Sequence, residues 1–129
     1  GVIADGGINL INTSTNTNFV VISDETLGGD VSDIVMITDS KGYVIVFDDS
    51  FNTNVVSFDL DTQSKLKTVM ESEGFTITDL AVNSSKEVYV SFRQSENPGI
   101  RIIDGNTDQE ITTGPIDIGL PPNQTLFLE

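Results

Sequence analysis

The chain contains no cysteine and no histidine. Together these absences exclude disulfides, Cys-ligated metal, zinc sites of the usual kind, Ser-His-Asp triads and Cys-His pairs within its 129 residues. Basic residues are scarce: six Lys and Arg stand against 20 Asp and Glu, for a net charge of -14 and a pI near 4.1, and none precedes Lys41. Such a field repels phosphate backbones and anionic lipid surfaces, so nucleic acid is not expected as a partner. Long apolar runs are missing too. The longest, such as 43–47, reach about five residues, against the roughly 20 that a helix needs to cross a bilayer, and no membrane span is expected. No amino-terminal stretch joins a basic segment to an apolar one, so no secretion signal is expected within the sequence.

What is present suits one ordinary domain with a core: 37% of the residues are hydrophobic and the mean hydropathy is -0.01. Apolar, β-branched stretches alternate with Gly, Asn, Asp and Ser clusters, the pattern of short strands joined by tight turns. They fall at 2–4, 8–11, 19–22, 34–38, 43–47, 55–60, 66–69, 77–82, 88–92, 100–103, 110–118 with a break, and 125–128, about twelve strands in all. The nearest approach to a helical period is 64–73, where Leu66, Val69, Met70 and Glu73 would share a face. Thr68 and Val69 are weak helix formers and no clear cap precedes them, so strand is preferred there.

Self-comparison reorganises these strands. The segments "GGINLINTSTNTNFVVI", "TNVVSFDLDTQSKLKTV" and "PGIRIIDGNTDQEITTG" align with Ile8, Val55 and Ile100 equivalent, at spacings 55 - 8 = 47 and 100 - 55 = 45. "VSDIVMITDSKGYVIVF" aligns with "TITDLAVNSSKEVYVSF", placing Asp33 over Asp79 at 79 - 33 = 46, and "GLPPNQTLFL" fills that slot a third time. A period near 46 built from strands alone belongs with β-propeller blades rather than helical repeats. With strands named a to d from the inside outward, the order reads c-d, a-b-c-d, a-b-c-d, a-b. The expected fold is all-β: about three four-stranded antiparallel blade equivalents (1–11 with 124–128, 19–60 and 66–103) forming one segment, 1–129, of a larger propeller.

The segment "EVYVSFRQSENPGIRIIDGNTDQEITTGPIDIGLPPNQ", 87–124, carries a Tyr-Val strand, an Asn/Asp turn, an "IRIIDGNTDQEI" hairpin and a Gly-x-x-Pro step at Gly119 to Pro122. In that order it resembles the YVTN-type propeller repeats of bacterial and archaeal surface proteins, over about 90% of the chain. Tyr43-Val44 and Tyr89-Val90 lack the Thr-Asn that follows in that pattern. The resemblance implies an extracellular, cell-surface or periplasmic protein. Its expected role is non-enzymatic: binding a protein or carbohydrate ligand, or structural display. The alternative is a fragment of a propeller enzyme, lactonase-like or quinoprotein-like, whose catalytic residues lie in other blades. Other blades of a parent chain, or a second copy completing the ring, are the expected partners.

Neither a catalytic residue nor a cofactor is assigned. No nucleophile elbow, dinucleotide fingerprint or phosphate loop occurs. "DGNTD" offers Asp104, Asn106 and Asp108 as the opening of a calcium loop, but Gln109 stands where Gly is wanted and Pro115 where the loop wants its final Glu. The turn reading is preferred: Asn12, Asp59 and Asp104 align, as do Thr15, Thr62 and Thr107, and a slot filled by either Asn or Asp suits side-chain capping of a d-to-a turn. Asp48 and Asp49 are expected to begin the loop between strands c and d, Phe51 and Phe75 to pack in the core between blades, and the loops 39–42 and 83–86 to face a central channel.

Overall fold

Ten short strands and one helical turn make up the regular structure of residues 6–128, the part of the chain that the computed structural model describes; the strand expected at 2–4 lies outside it. β1 (Gly7–Asn12) and β2 (Thr17–Ser23) form a two-stranded sheet. β3 (Asp30–Met36), β4 (Lys41–Phe47), β5 (Thr53–Asp59) and β6 (Ser64–Glu71) form the middle sheet, and β7 (Ile77–Val82), β8 (Glu87–Phe92), β9 (Gly99–Asp104) and β10 (Gln109–Glu110) the second four-stranded sheet. In all three, every strand pairs antiparallel with its neighbour in sequence. No ring or barrel closes among the described residues.

Several expectations are displaced. Each four-stranded sheet begins one strand later than the divisions 19–60 and 66–103, so the turn at 59–64 joins two strands of one sheet instead of linking two blades. The segment 64–71 is strand, in keeping with Thr68 and Val69. Strand 110–118 shrinks to β10: Gly114-Pro115 interrupts it, and the chain returns to β9 only through the isolated Ile100–Ile116 bridge. Residues 125–128 form no strand. A single helical turn, α1 (Asp24–Leu27), was not anticipated; Ser23 caps it by accepting from the Thr26 N–H, and Gly28 closes it at φ 97°. At four residues it is too short to show a period.

Alternation within β4 explains why its apolar run is unbroken. Tyr43 and Ile45 join Val55, Met70, Ile77, Leu80, Val88, Val90, Phe92 and Ile103 in a core between the middle and second sheets. Val44 and Val46 point the other way, into a core with Ile8, Ile22, Leu27, Val56 and Phe58 beneath the two-stranded sheet and α1. The middle sheet is therefore covered on both faces, the condition under which a strand needs apolar residues at every position.

Candidate functional site

Two β-bulges 46 residues apart set the spacing between layers. In β3 the register shifts between Val31 and Asp33, and in β7 between Ile77 and Asp79. A bulge re-aims the side chain that follows it. Asp33 Oδ2 accepts from the Leu80 N–H of the next sheet at 2.8 Å, and Asp79 Oδ2 from the Thr125 N–H of the carboxy-terminal segment at 2.7 Å, sequence separations of 47 and 46. Burial, with the Asp33 charge adding to it, raises the Asp79 carboxyl above the usual carboxylate range.

The three aligned turns share a backbone: the fifth residue of each, Asn16, Gln63 and Asp108, has φ between 52° and 55°. Asn12 Oδ1 accepts from the Ser14 and Thr15 N–H groups, and Asp59 Oδ1 from Thr62 N–H and Oγ1. Asp104 Oδ1 accepts from the Asn106 N–H at 2.9 Å, while the Thr107 N–H reaches the Asp104 carbonyl at 3.3 Å. These bonds, the Thr62 N–H foremost for Asp59 and the Asn106 N–H for Asp104, hold both carboxyls below their usual range.

The three oxygen-bearing residues of "DGNTD" are turned to different partners. Asp104 and Asn106 bond within their own turn. Asp108 reaches back to the middle sheet, where Lys41 Nζ lies 3.0 Å from Oδ1 and the Tyr43 hydroxyl donates to the same oxygen. Lys41 Nζ also donates to the Gly105 carbonyl at 2.9 Å, and Lys67 Nζ to the Asp108 carbonyl at 3.0 Å. Burial first, then Asp108, pushes the Tyr43 phenol far above its ordinary value, so it remains a donor. Gly105 is required here: a Cβ would stand 2.4 Å from the Lys86 carbonyl oxygen. This cluster clamps the two four-stranded sheets together.

Among the loops, 39–42 and 83–86 are the turns from β3 to β4 and from β7 to β8. The opposite end of the middle sheet carries the more unusual surface. There, loops 48–52 and 72–76 are stitched to each other: Thr53, fully buried, accepts at Oγ1 from the Thr76 and Ile77 N–H groups and donates to the Gly74 carbonyl, while the Gly74 N–H donates to Asn52 Oδ1. Asp48 accepts from the Ser50 and Asn52 N–H groups and from the Asn52 and Asn54 side chains, which lower its carboxyl. An open cleft of about 360 Å³ lies beside them, lined by Asp48, Asn52, Asn54, Glu71, Ser72 and Glu73.

On these stitched loops, Phe51 and Phe75 are 67% and 62% exposed, contrary to their expected place in the core. Phe75 bridges the half-buried Phe47 (centroids 5.1 Å apart) and Phe51 (6.2 Å). The pair sits beyond the end of the inter-sheet core, where the second sheet no longer covers it. Sequence reasoning had aligned Asp33 with Asp79 only as a repeat marker; the usable signal was an acid kept at one strand position in both copies. Compared with known proteins, the chain matches no family model, no curated protein and no solved structure.

Proposed function

We propose that the chain is a segment of a β-propeller-like stack in a secreted or cell-surface bacterial protein, serving binding or structural display and not catalysis. The observation that carries this reading is the repeated inter-layer bond, Asp33 to Leu80 and Asp79 to Thr125, at sequence separations of 47 and 46. It supports treating successive sheets as copies of one unit that adds to the stack by the same contact. The recurrent turn backbone at Asn16, Gln63 and Asp108 supports the same period. The likeness of 87–124 to YVTN-type repeats favours surface placement.

A non-catalytic role is favoured by the composition, which lacks His and Cys, and by the use of the carboxylates. Asp33, Asp48, Asp59, Asp79, Asp104 and Asp108 are all engaged in backbone capping or sheet clamping. Duplicating residues 31–76 directly after position 76 tests the reading. One more four-stranded unit is expected to fold cooperatively, with a steeper denaturant dependence because more surface is buried. Loss of cooperative unfolding in the lengthened chain would contradict it, as would turnover of lactone substrates by the chain itself.

A further inference from the structure

We propose that Phe51 and Phe75 form a docking point for a cationic side chain, Arg or Lys, on a basic segment of a partner protein. This rests on the binding role proposed above and supplies its ligand class. Two observations make the aromatic pair more than a scattered exposure.

The first is a comparison between copies. In both four-stranded sheets the residue two positions before the third strand adopts a left-handed backbone: Phe51 at φ 61° ahead of β5, Asn97 at φ 53° ahead of β9. Asn tolerates that region, whereas a bulky side chain there is strained. The fold accepts Asn at this position, so the aromatic ring is not something the turn needs. A strained, exposed Phe on loops otherwise saturated with hydrogen bonds is a candidate for function.

The second is charge. Asp49, Glu71 and Glu73 stand exposed on or beside the same two loops, and no Lys or Arg occurs between Lys41 and Lys65 or between Lys67 and Lys86. An aromatic face ringed by carboxylates attracts a cation twice over, by the ring quadrupole and by Coulomb attraction. A second copy of this chain, at net charge -14, is repelled. The rings of Phe51 and Phe75 are inclined at 43°, so they make no single flat platform of the kind on which a sugar ring stacks.

The test uses the whole chain and an end-blocked peptide of four Arg-Gly repeats, titrated at about 0.15 M salt so that long-range attraction is screened. Phe51→Ala with Phe75→Ala is expected to weaken binding by about tenfold, and Glu71→Gln with Glu73→Gln by several-fold. Asp39→Asn with Asp61→Asn, removing equal charge at the opposite end of the middle sheet, is expected to change it less than about twofold. Phe51→Asn separates fold from binding: it is expected to raise the melting temperature and weaken binding together. Unchanged binding by the double Phe variant would overturn the proposal. So would equal losses from the two charge pairs, equal binding of the citrulline-substituted peptide, or a lowered melting temperature in Phe51→Asn. None of these readouts depends on how the sheets stack, so a failure here is distinguishable from failure of the lengthened chain to fold.

Discussion

In the middle sheet β4 is buried from Gly42 to Val46, whereas its counterpart β8 leaves Glu87 and Tyr89 half-exposed. Tyr43 and Tyr89 occupy equivalent repeat positions, 46 residues apart, yet Tyr43 is fully buried. Each faces the next layer. For Tyr43 that layer is the second sheet, and for Tyr89 it is the irregular segment after β10, represented by Phe127 edge-on at 4.7 Å. Burial in this chain is thus a property of position in the stack more than of the strand itself. The turns teach the same lesson. The 59–63 turn carries Leu60 where the 104–108 turn carries Gly105, and only the latter is pressed against a neighbouring sheet by Lys41 and Tyr43.

The sharpest way to break this comparison is truncation of equivalent depths. Phe58→Ala, in the fully covered sheet, is expected to lower stability by about 3–5 kcal/mol in urea unfolding. Tyr89→Ala, on the thinly covered face, should lose about half as much, since part of its surface is already wet. Equal losses would mean that the carboxy-terminal segment covers the second sheet as well as a complete layer does.

Next in size is the inter-layer bond. Asp33→Ala leaves the Leu80 N–H without its acceptor and should destabilise by about 1–3 kcal/mol, while Asp33→Asn, which keeps an acceptor oxygen, should lose less than half of that. Calorimetric melting of the two variants side by side separates loss of an acceptor from loss of a charge.

Acid titration distinguishes the two kinds of aspartate. The Asp79 carboxyl is raised in the folded state, chiefly by burial and then by Asp33, so its ionised form opposes folding at neutral pH. That opposition is relieved as pH falls through its folded value. Asp59 and Asp104 are lowered, so their contributions are present above the unfolded value of about 3.9 and are lost as pH falls below it. Asp79→Asn should therefore compare best with the parent at pH 7, and its advantage should shrink as the pH approaches 4. A variant whose relative stability grows on acidification would reverse the sign assigned to burial.

The smallest effect belongs to the turn. Asp59→Asn is expected to be nearly neutral and Asp59→Ala to lower stability by about 1 kcal/mol, measured by thermal melting. Equal losses would show that charge, and not capping, holds the turn.

Much of this architecture was legible in the sequence because it is written in alternation and period. The apolar β-branched runs marked the strands, and the 46-residue spacing marked Asp33 and Asp79 as equivalent. The phase of the repeat was not legible. Strand alternation says which residues pair but not which hairpin starts a sheet, so 64–71 was assigned to the following unit. The carboxy-terminal strands were misread for a related reason: the apolar residues of 125–128 look like a strand, but no neighbouring strand pairs with them among the described residues. The candidate site was the least legible. Phe51 and Phe75 are 24 residues apart, and nothing local tells a core phenylalanine from one that two loops lift beyond the edge of a sheet.

Amide hydrogen exchange at Leu80 and Thr125 tests the repeated inter-layer bond directly. Both amides should exchange slowly in the parent chain; Asp33→Ala should speed Leu80 while leaving Thr125 protected, and Asp79→Ala should do the reverse. Unchanged protection at Leu80 in Asp33→Ala would contradict the account, because it would mean that the bulged aspartates do not join one layer to the next.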